Sequence, residues 1–450
     1  MLSRLLSEVN VPPEQDAIVE PGRRTGWGEL RGRVRSIGRA LQTAFAGRRV
    51  GLSFQPAAES YATLAAMDQL SCDAFLFDAH LSLDEALKLA RKLKLGAFLS
   101  PRGEGTGSPF EVHELPGEAR WSGSTTVTIL TSGSTGEPKA VRHSWEGLGR
   151  PVRKGPVGNS PRWFLAYRPH LYAGLQVALQ CFADGGTLIA PDPQMDACGT
   201  AEFMAATRVQ FASATPSYWR RFLVFSGAAP LERIPLVQIT VGGEVADQPL
   251  LNSLRRHFPK ARLVHIYATT ELGRCFSVTD GLAGFPTRYL DRVSPDGVEL
   301  RVSDGQLFVR SRNSMCMYDP HSLAPEPASE YFATGDLVEI RGDRVYFAGR
   351  KSDMINVAGS KVHPIEVERV IRMIPGVSDV RVFGKASSIA GELVACEIVP
   401  SDHRDPEVLK KEVMTICRAQ LATYQQPRVI KFVGQIDLSL AGKTVRGTVS

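Results

Sequence analysis

Residues 126 to 143 read Thr-Val-Thr-Ile-Leu-Thr-Ser-Gly-Ser-Thr-Gly-Glu-Pro-Lys-Ala-Val-Arg-His, and their types and spacing suit the grip of a polyphosphate. An apolar, β-branched strand over Thr126 to Leu130 is predicted to run into hydroxyls and glycines that neither helix nor strand favours. Small residues let backbone N–H groups close on an anion. Thr131, Ser132, Ser134 and Thr135 add hydroxyl donors around Gly133 and Gly136, and Lys139 adds a compact positive charge. The run is not a Walker loop, because Glu137 and Pro138 separate Gly136 from Lys139 and Ala140 stands where a magnesium-binding hydroxyl would be. A Ser/Gly surface linker is the alternative, but linkers rarely follow so apolar a strand.

Other residues with chemical potential are spread along the chain. Tyr267-Ala268-Thr269-Thr270-Glu271 stands where an apolar strand is predicted to end, and open α/β sheets bind ligands beyond the carboxyl ends of strands. There a hydroxyl such as Thr270 can meet a phosphate oxygen, and Glu271 a metal ion that bridges it. Asp336 follows a glycine turn in Thr334-Gly335-Asp336, a commonplace arrangement on its own. Gly442 before Lys443 permits a tight turn that can project the ammonium into a site built elsewhere; in isolation the segment reads as a solvated terminal lysine. His170, beside Tyr172, can orient a bound carboxylate or serve equally as a core histidine, and His363, before Pro364, reads as structural.

Taken together these segments resemble the adenylate-forming superfamily, and within it the acyl-CoA synthetases and aryl-CoA ligases. The first run is similar to the family's Thr-Ser-Gly-Ser/Thr-Thr-Gly-x-Pro-Lys-Gly-Val, with Ala140 for the last glycine, and Tyr267 to Glu271 is similar to Tyr-Gly-x-Thr-Glu, with Ala268 for glycine. Thr334 to Asp336, Gly349-Arg350, Met354 to Glu368, and Leu440 to Arg446 resemble its later motifs and occur in its order from residue 25 to 446. Only about 130 residues precede the first run, so the resemblance implies a trimmed amino-terminal region.

The resemblance also implies roles. Thr131, Ser132, Gly133, Ser134, Thr135, Gly136 and Lys139 would hold the departing pyrophosphate of ATP, Thr270 the α-phosphate, and Glu271 the Mg2+ ion. Asp336 and Arg350 would fix the ribose, with Gly243, Glu244 and Tyr267 around the nucleotide and Lys443 as the catalytic ammonium. His170, Tyr172, Ser213, Thr215, Val241 and Ala268 would shape the acid pocket, weakly favouring an aromatic or short acyl acid. Peptide-synthetase relatives pair an amino-acid ammonium with an Asp whose place Tyr172 takes here, so an amino-acid substrate would leave a charge unpaired. Rotation about Ser352 would then bring Gly359 and Lys361 to the adenylate for attack by a thiol, from CoA or from the phosphopantetheine of an acyl carrier protein. A catalytically silent nucleotide-binding scaffold would be expected to lack Lys443 or Glu271, and both are present.

Composition sets the frame. The chain has 450 residues, 43% hydrophobic and 22% charged, as expected of a globular protein large enough for more than one domain. The net charge of +6 is modest, and Arg31, Arg33, Arg35 and Arg39 read as a solvated helix face, not a nucleic-acid surface. Seven cysteines without metal-ligand spacing read as reduced core thiols of a cytoplasmic protein, and no apolar run is long enough to span a membrane.

The elements that must position these residues follow from periodicity. Helical and strand patterns alternate through residues 30–100 and again through 163–267, which argues α/β with mostly parallel sheets. The Pro/Gly-rich stretch 101–117 reads as closing the first section, and residues after 271 turn β-rich. A small α+β unit follows, with helices over 365–373 and 406–421 and strands over 379–383, 393–399 and 428–433. The expected division is an amino-terminal core, 1–350, and a mobile carboxyl-terminal lid, 351–450.

Overall fold

The computed structural model describes residues 1–102, 110–117, 125–131, 138–153, 160–321, 330–387, 391–401, 405–438 and 443–444. Ser132, Gly133, Ser134, Thr135 and Gly136 of the expected phosphate loop lie outside the described residues.

Continuous apolar runs become central parallel strands. Arg49–Phe54 is buried at every position, which is the burial of a strand covered on both faces. It sits in a seven-stranded sheet between Asp73–Asp78 and Ala97–Pro101, with Thr126–Thr131 parallel beyond Asp73–Asp78. Lys139–Ser144 then returns antiparallel, Thr131 opposite Lys139. A second, eight-stranded sheet carries the parallel strands Thr187–Ile189, Arg162–Leu165, Phe211–Ala214, Gln238–Gly242 and Arg262–Thr269 in spatial sequence. One apolar core joins the two sheets through the helices Trp27–Phe45, Ala58–Gln69 and Tyr172–Ala183. A second core packs the far face of the eight-stranded sheet against helices Pro216–Phe225 and Gln248–His257.

A five-stranded antiparallel sheet, containing Phe332–Arg341 and Arg344–Arg350, follows the α/β part. The carboxyl-terminal residues build their own core from Ile355 to Phe432, with helices Pro364–Arg372 and Pro406–Gln420 over strands Val377–Ser387, Gly391–Pro400 and Val429–Phe432. Proline at the first helical position of both helices presets the backbone where no intrahelical N–H is needed.

Three expectations need correction. The stretch 101–117, expected only to close the first section, adds a strand to its sheet, because Phe110–Glu114 pairs with Ala97–Pro101 at the edge. The strand expected to end at Tyr267 runs on to Thr269, supported by the antiparallel partner Gly273–Val278 through a bulge at Tyr267 and Ala268. Five of the seven free cysteines are buried as expected, whereas Cys198 and Cys316 are exposed.

Candidate active site

A cleft of about 2070 Å³ opens at the carboxyl ends of the parallel strands in the eight-stranded sheet. Thr131, His170, Tyr172, Ser213, Val241, Gly243, Glu244, Tyr267, Ala268, Thr270, Glu271, Asp336, Arg350 and Lys443 line it.

Asp336 and Arg350 face each other across the Phe332–Arg341 and Arg344–Arg350 pair, so sheet register alone sets them together. Arg350 Nε donates to Asp336 Oδ1 at 2.9 Å, and the Tyr267 hydroxyl donates to Asp336 Oδ2. Tyr267 is stacked between Phe276 and Phe347, with ring centroids 5.3 and 5.1 Å away. Burial, then the Asp336 charge, holds its phenol far above the ordinary range, so Tyr267 remains a donor. Burial works against the Arg350 cation, and the Asp336 carboxylate more than offsets it.

Lys443 reaches this cluster from the end of the chain. Burial and the Arg350 charge lower its pKa, while Glu244, Glu271 and Asp336 pull it back up. Its Cε lies 3.5 Å from where a Cβ on Gly243 would stand, and Gly243 has φ +88°, so glycine meets both demands there. The next residue is the anchor. Thr444 N donates to Glu244 Oε1 at 2.7 Å, Ser217 N donates to Glu244 Oε2 at 3.0 Å, and the Ser217 and Thr444 hydroxyls are 2.9 Å apart. Glu244 was expected beside the nucleotide; its carboxylate is occupied with fastening the lysine segment to the core.

The turn that bears Thr270 and Glu271 is held from behind. His143 Nε2 donates to the Thr270 carbonyl at 2.7 Å, Met315 N to the Glu271 carbonyl at 2.7 Å, and Ser311 Oγ to the Leu272 carbonyl at 2.9 Å. Burial lowers the His143 pKa to about 4, so the ring is neutral with its proton on Nε2. The Tyr318 phenol hydrogen-bonds Glu271, and burial, then the Glu271 charge, raises its pKa. Among the described residues no group of three His, Cys, Asp or Glu side chains forms a self-sufficient metal site. One carboxylate nevertheless suits Mg2+, which keeps waters and takes further oxygens from substrate phosphates, and Glu271 fits that part.

Other expected residues divide. His170 is buried in the cleft wall, 4.0 Å from Asp78, and burial lowers its pKa to about 4 despite that carboxylate. Tyr172 is buried against the His143 ring, with centroids 5.5 Å apart. Thr215 does not line the cleft: it is 1% exposed and its hydroxyl caps helix Pro216–Phe225 by accepting from Tyr218 N. Lys139 opens its strand half-buried beside the cleft, paired to Thr131 through the backbone. Gly359 and Lys361 sit on the exposed hairpin of Ile355–Val357 and Ser360–Val362, outside the cleft, and Ser352 lies in the exposed 3-10 turn Lys351–Asp353. The sequence reading missed His143, Ser217 and Thr444. His143 closes the run quoted first, in a strand buried at all four interior positions, and that adjacency was the available signal; the other two become visible only when distant segments meet.

The profile described as AMP-binding enzyme matches residues 6–318, and that of the AMP-binding enzyme C-terminal domain matches residues 366–443. The chain belongs to the AMP-binding enzyme family. It is 28% identical to a long-chain fatty-acid–CoA ligase of Mycobacterium tuberculosis over 335 residues, 71% of this chain and 65% of that protein. It is 24% identical to an indoleacetate–CoA ligase of Aromatoleum aromaticum over 343 residues, 72% of this chain and 66% of that one. The matched region is thus just under two thirds of these relatives' length. The fold is similar to an anthranilate CoA ligase crystallised with anthranoyl-AMP, with a TM-score of 0.82 at 18% identity over 98% of this chain and 95% of that one. A benzoate CoA ligase from Burkholderia xenovorans gives a TM-score of 0.80 at 18% identity, covering 98% of both chains. Among the described residues no helix is long and apolar enough to cross a membrane.

Proposed function

We propose that this AMP-binding enzyme is an AMP-forming carboxylate ligase that makes an acyl-adenylate and then a thioester with CoA. The observation that carries the reading is Lys443, half-buried at the cleft within electrostatic reach of Glu244, Glu271, Asp336 and Arg350. A substrate carboxylate oxygen attacks the α-phosphorus of ATP, the bond to the bridging oxygen breaks, and pyrophosphate leaves. Negative charge shifts over phosphate oxygens, so the protein acts by positioning and by fixed positive charge. Lys443 supplies that charge at the α-phosphate, Asp336 accepts from the ribose hydroxyls with Arg350 and Tyr267 holding it, and Thr131 with Lys139 stands at the phosphate end. Glu271 would hold Mg2+, whose contribution is to neutralise phosphate charge. Reorientation of the carboxyl-terminal unit about Ser352 withdraws Lys443, brings Gly359 and Lys361 toward the adenylate, and admits the thiol.

The cleft also speaks to the acid. Its floor runs along one strand through Ala268, Ile266, Val264 and Arg262, and along the next through Gly242, Thr240 and Gln238. Six residue steps at about 3.3 Å give a groove of about 20 Å, so we infer an acid with an extended tail, longer than the short acyl or single aromatic ring favoured by sequence.

Lys443→Ala tests the assignment. Pyrophosphate release should fall by about 10²- to 10³-fold, the loss seen when one preorganised charge donor is removed. Thioester formation from a supplied adenylate should survive, and equal loss of both half-reactions would refute the division. Pyrophosphate release over acids from acetate and benzoate to long-chain fatty acids tests the groove, and product analysis with CoA and with a phosphopantetheinylated carrier identifies the thiol.

A further inference from the structure

We propose that Arg220, Asp247, Arg372 and Asp379 form a reversible electrostatic dock that holds the carboxyl-terminal unit in the orientation placing Lys443 in the cleft. The inference deepens the proposed function and rests on it for its kinetic consequence.

The four charges alternate around a ring that straddles the seam. Arg220, on helix Pro216–Phe225, and Asp247, the cap of helix Gln248–His257, come from the core. Arg372, closing helix Pro364–Arg372, and Asp379, on strand Val377–Ser387, come from the carboxyl-terminal unit. Arg220 Nη2 donates to Asp247 Oδ2 at 2.7 Å, and Arg372 lies 3.6 Å from Asp379. Across the seam, Arg372 lies 3.8 Å from Asp247 and Arg220 4.0 Å from Asp379. Every charge therefore has one opposite neighbour on its own side and one on the other. Glu368 adds a further partner for Arg372 at 3.2 Å, again on its own side.

That arrangement differs from an ordinary buried ion pair, whose separation strands an uncompensated charge. Here parting leaves Arg220 with Asp247, and Arg372 with Asp379 and Glu368. Each half keeps its pairing, so the contact favours docking without making release prohibitive. The ring also shares a helix with the lysine anchor: Ser217 and Arg220 are three residues apart, neighbours on one face of helix Pro216–Phe225. When the ring closes, Ser217 and Glu244 meet Thr444, and Lys443 is delivered. Arg372 and Asp379 are thus positioning residues, acting through Lys443.

The test uses the full chain with Cys198 and Cys316 changed to Ser and dyes placed on Q194C in the core and E407C in the carboxyl-terminal unit. D379N, an isosteric change, should deplete the docked population seen by energy transfer and slow pyrophosphate release about tenfold. Thioester formation from supplied adenylate should be unchanged or faster. R220Q, from the core side, should give the same shift, and the double variant D379N/R220Q should add little to either, since both break one contact. An unchanged energy-transfer distribution in folded D379N and R220Q overturns the dock, as does an equal fall in both half-reactions. If no carboxylate supports pyrophosphate release even without these substitutions, the ligase reading fails, and the distribution alone then decides for or against the dock.

Discussion

Glu244 accepts from two backbone N–H groups, one at the start of a core helix and one on Thr444, beside Lys443. A carboxylate offers acceptors on both oxygens, whereas a glutamine would turn an N–H2 toward one of these donors. Glu244→Gln should slow adenylation about tenfold, the cost of about one charge-assisted hydrogen bond, and spare the thioester step. Comparable loss in the two steps would instead place Glu244 in the nucleotide site. Lys443 gives a second test, through pH. Burial and Arg350 lower its pKa, so it loses its proton as pH rises sooner than an ordinary lysine. Adenylation should therefore decline on the alkaline side below the usual lysine range, with thioester formation from supplied adenylate keeping its own profile. At this scale Asp336 and Lys443 were legible only through the order of the resembling motifs, since residue type alone reads them as a turn aspartate and a solvated lysine. The sequence was illegible where a side chain serves the backbone of a remote segment, as His143 and Glu244 do.

Secondary elements carry a different burden. Asp73, wholly buried, accepts from Arg142 Nη2 at 2.9 Å, Arg49 Nε at 3.3 Å and Thr126 Oγ1 at 2.6 Å; Asp319 takes the two guanidinium groups from the other side. This quartet ties three strands of the seven-stranded sheet to the segment after Tyr318. Asp73→Asn leaves two buried guanidinium groups with one carboxylate, and should destabilise the protein by about 3–5 kcal/mol, read as a lower urea midpoint. A midpoint within experimental error of the parent would show the pair to be dispensable. Helices were readable from their 3.6-residue period, and the central strands from unbroken apolar runs. Edge strands were not: Phe110–Glu114 buries only Phe110 and leaves most of its other positions exposed, so only its partner Ala97–Pro101 distinguishes it from a loop. The extension of Arg262–Thr269 likewise depends on Gly273–Val278 folding back on it.

Three neutral histidines link the stability of the molecule to pH. Burial lowers His143, His170 and His265 to about 4 in the folded state, against about 6.5 for an exposed ring. Between those values the unfolded chain binds more protons, so stability is complete above pH 6.5 and is lost as pH falls through 4. Each ring is linked to about 3 kcal/mol over that interval. Thermal melts from pH 7 to 4.5 should show the decline, and His143→Gln, which keeps a donor for the Thr270 carbonyl, should make it shallower; an unaltered slope would mean His143 is solvated or charged. At this scale sequence foresaw an α/β molecule with a separate carboxyl-terminal core, because Ile355 to Phe432 carries its own apolar periodicity. The order of strands within each sheet, and the seam between Pro216–Phe225 and Val377–Ser387, depend on contacts no local pattern encodes.

The pairing of Thr131 with Lys139 bears on how insertions between them would be tolerated. Both ends of the intervening segment are fastened at one rung of an antiparallel ladder, and the strands beneath are buried. Residues added or removed between those two posts are taken up locally, without sliding the ladder. A change of length between the two posts should therefore leave the melting temperature near that of the parent, whereas Ala140→Pro, which removes an N–H from the ladder beneath, should lower it.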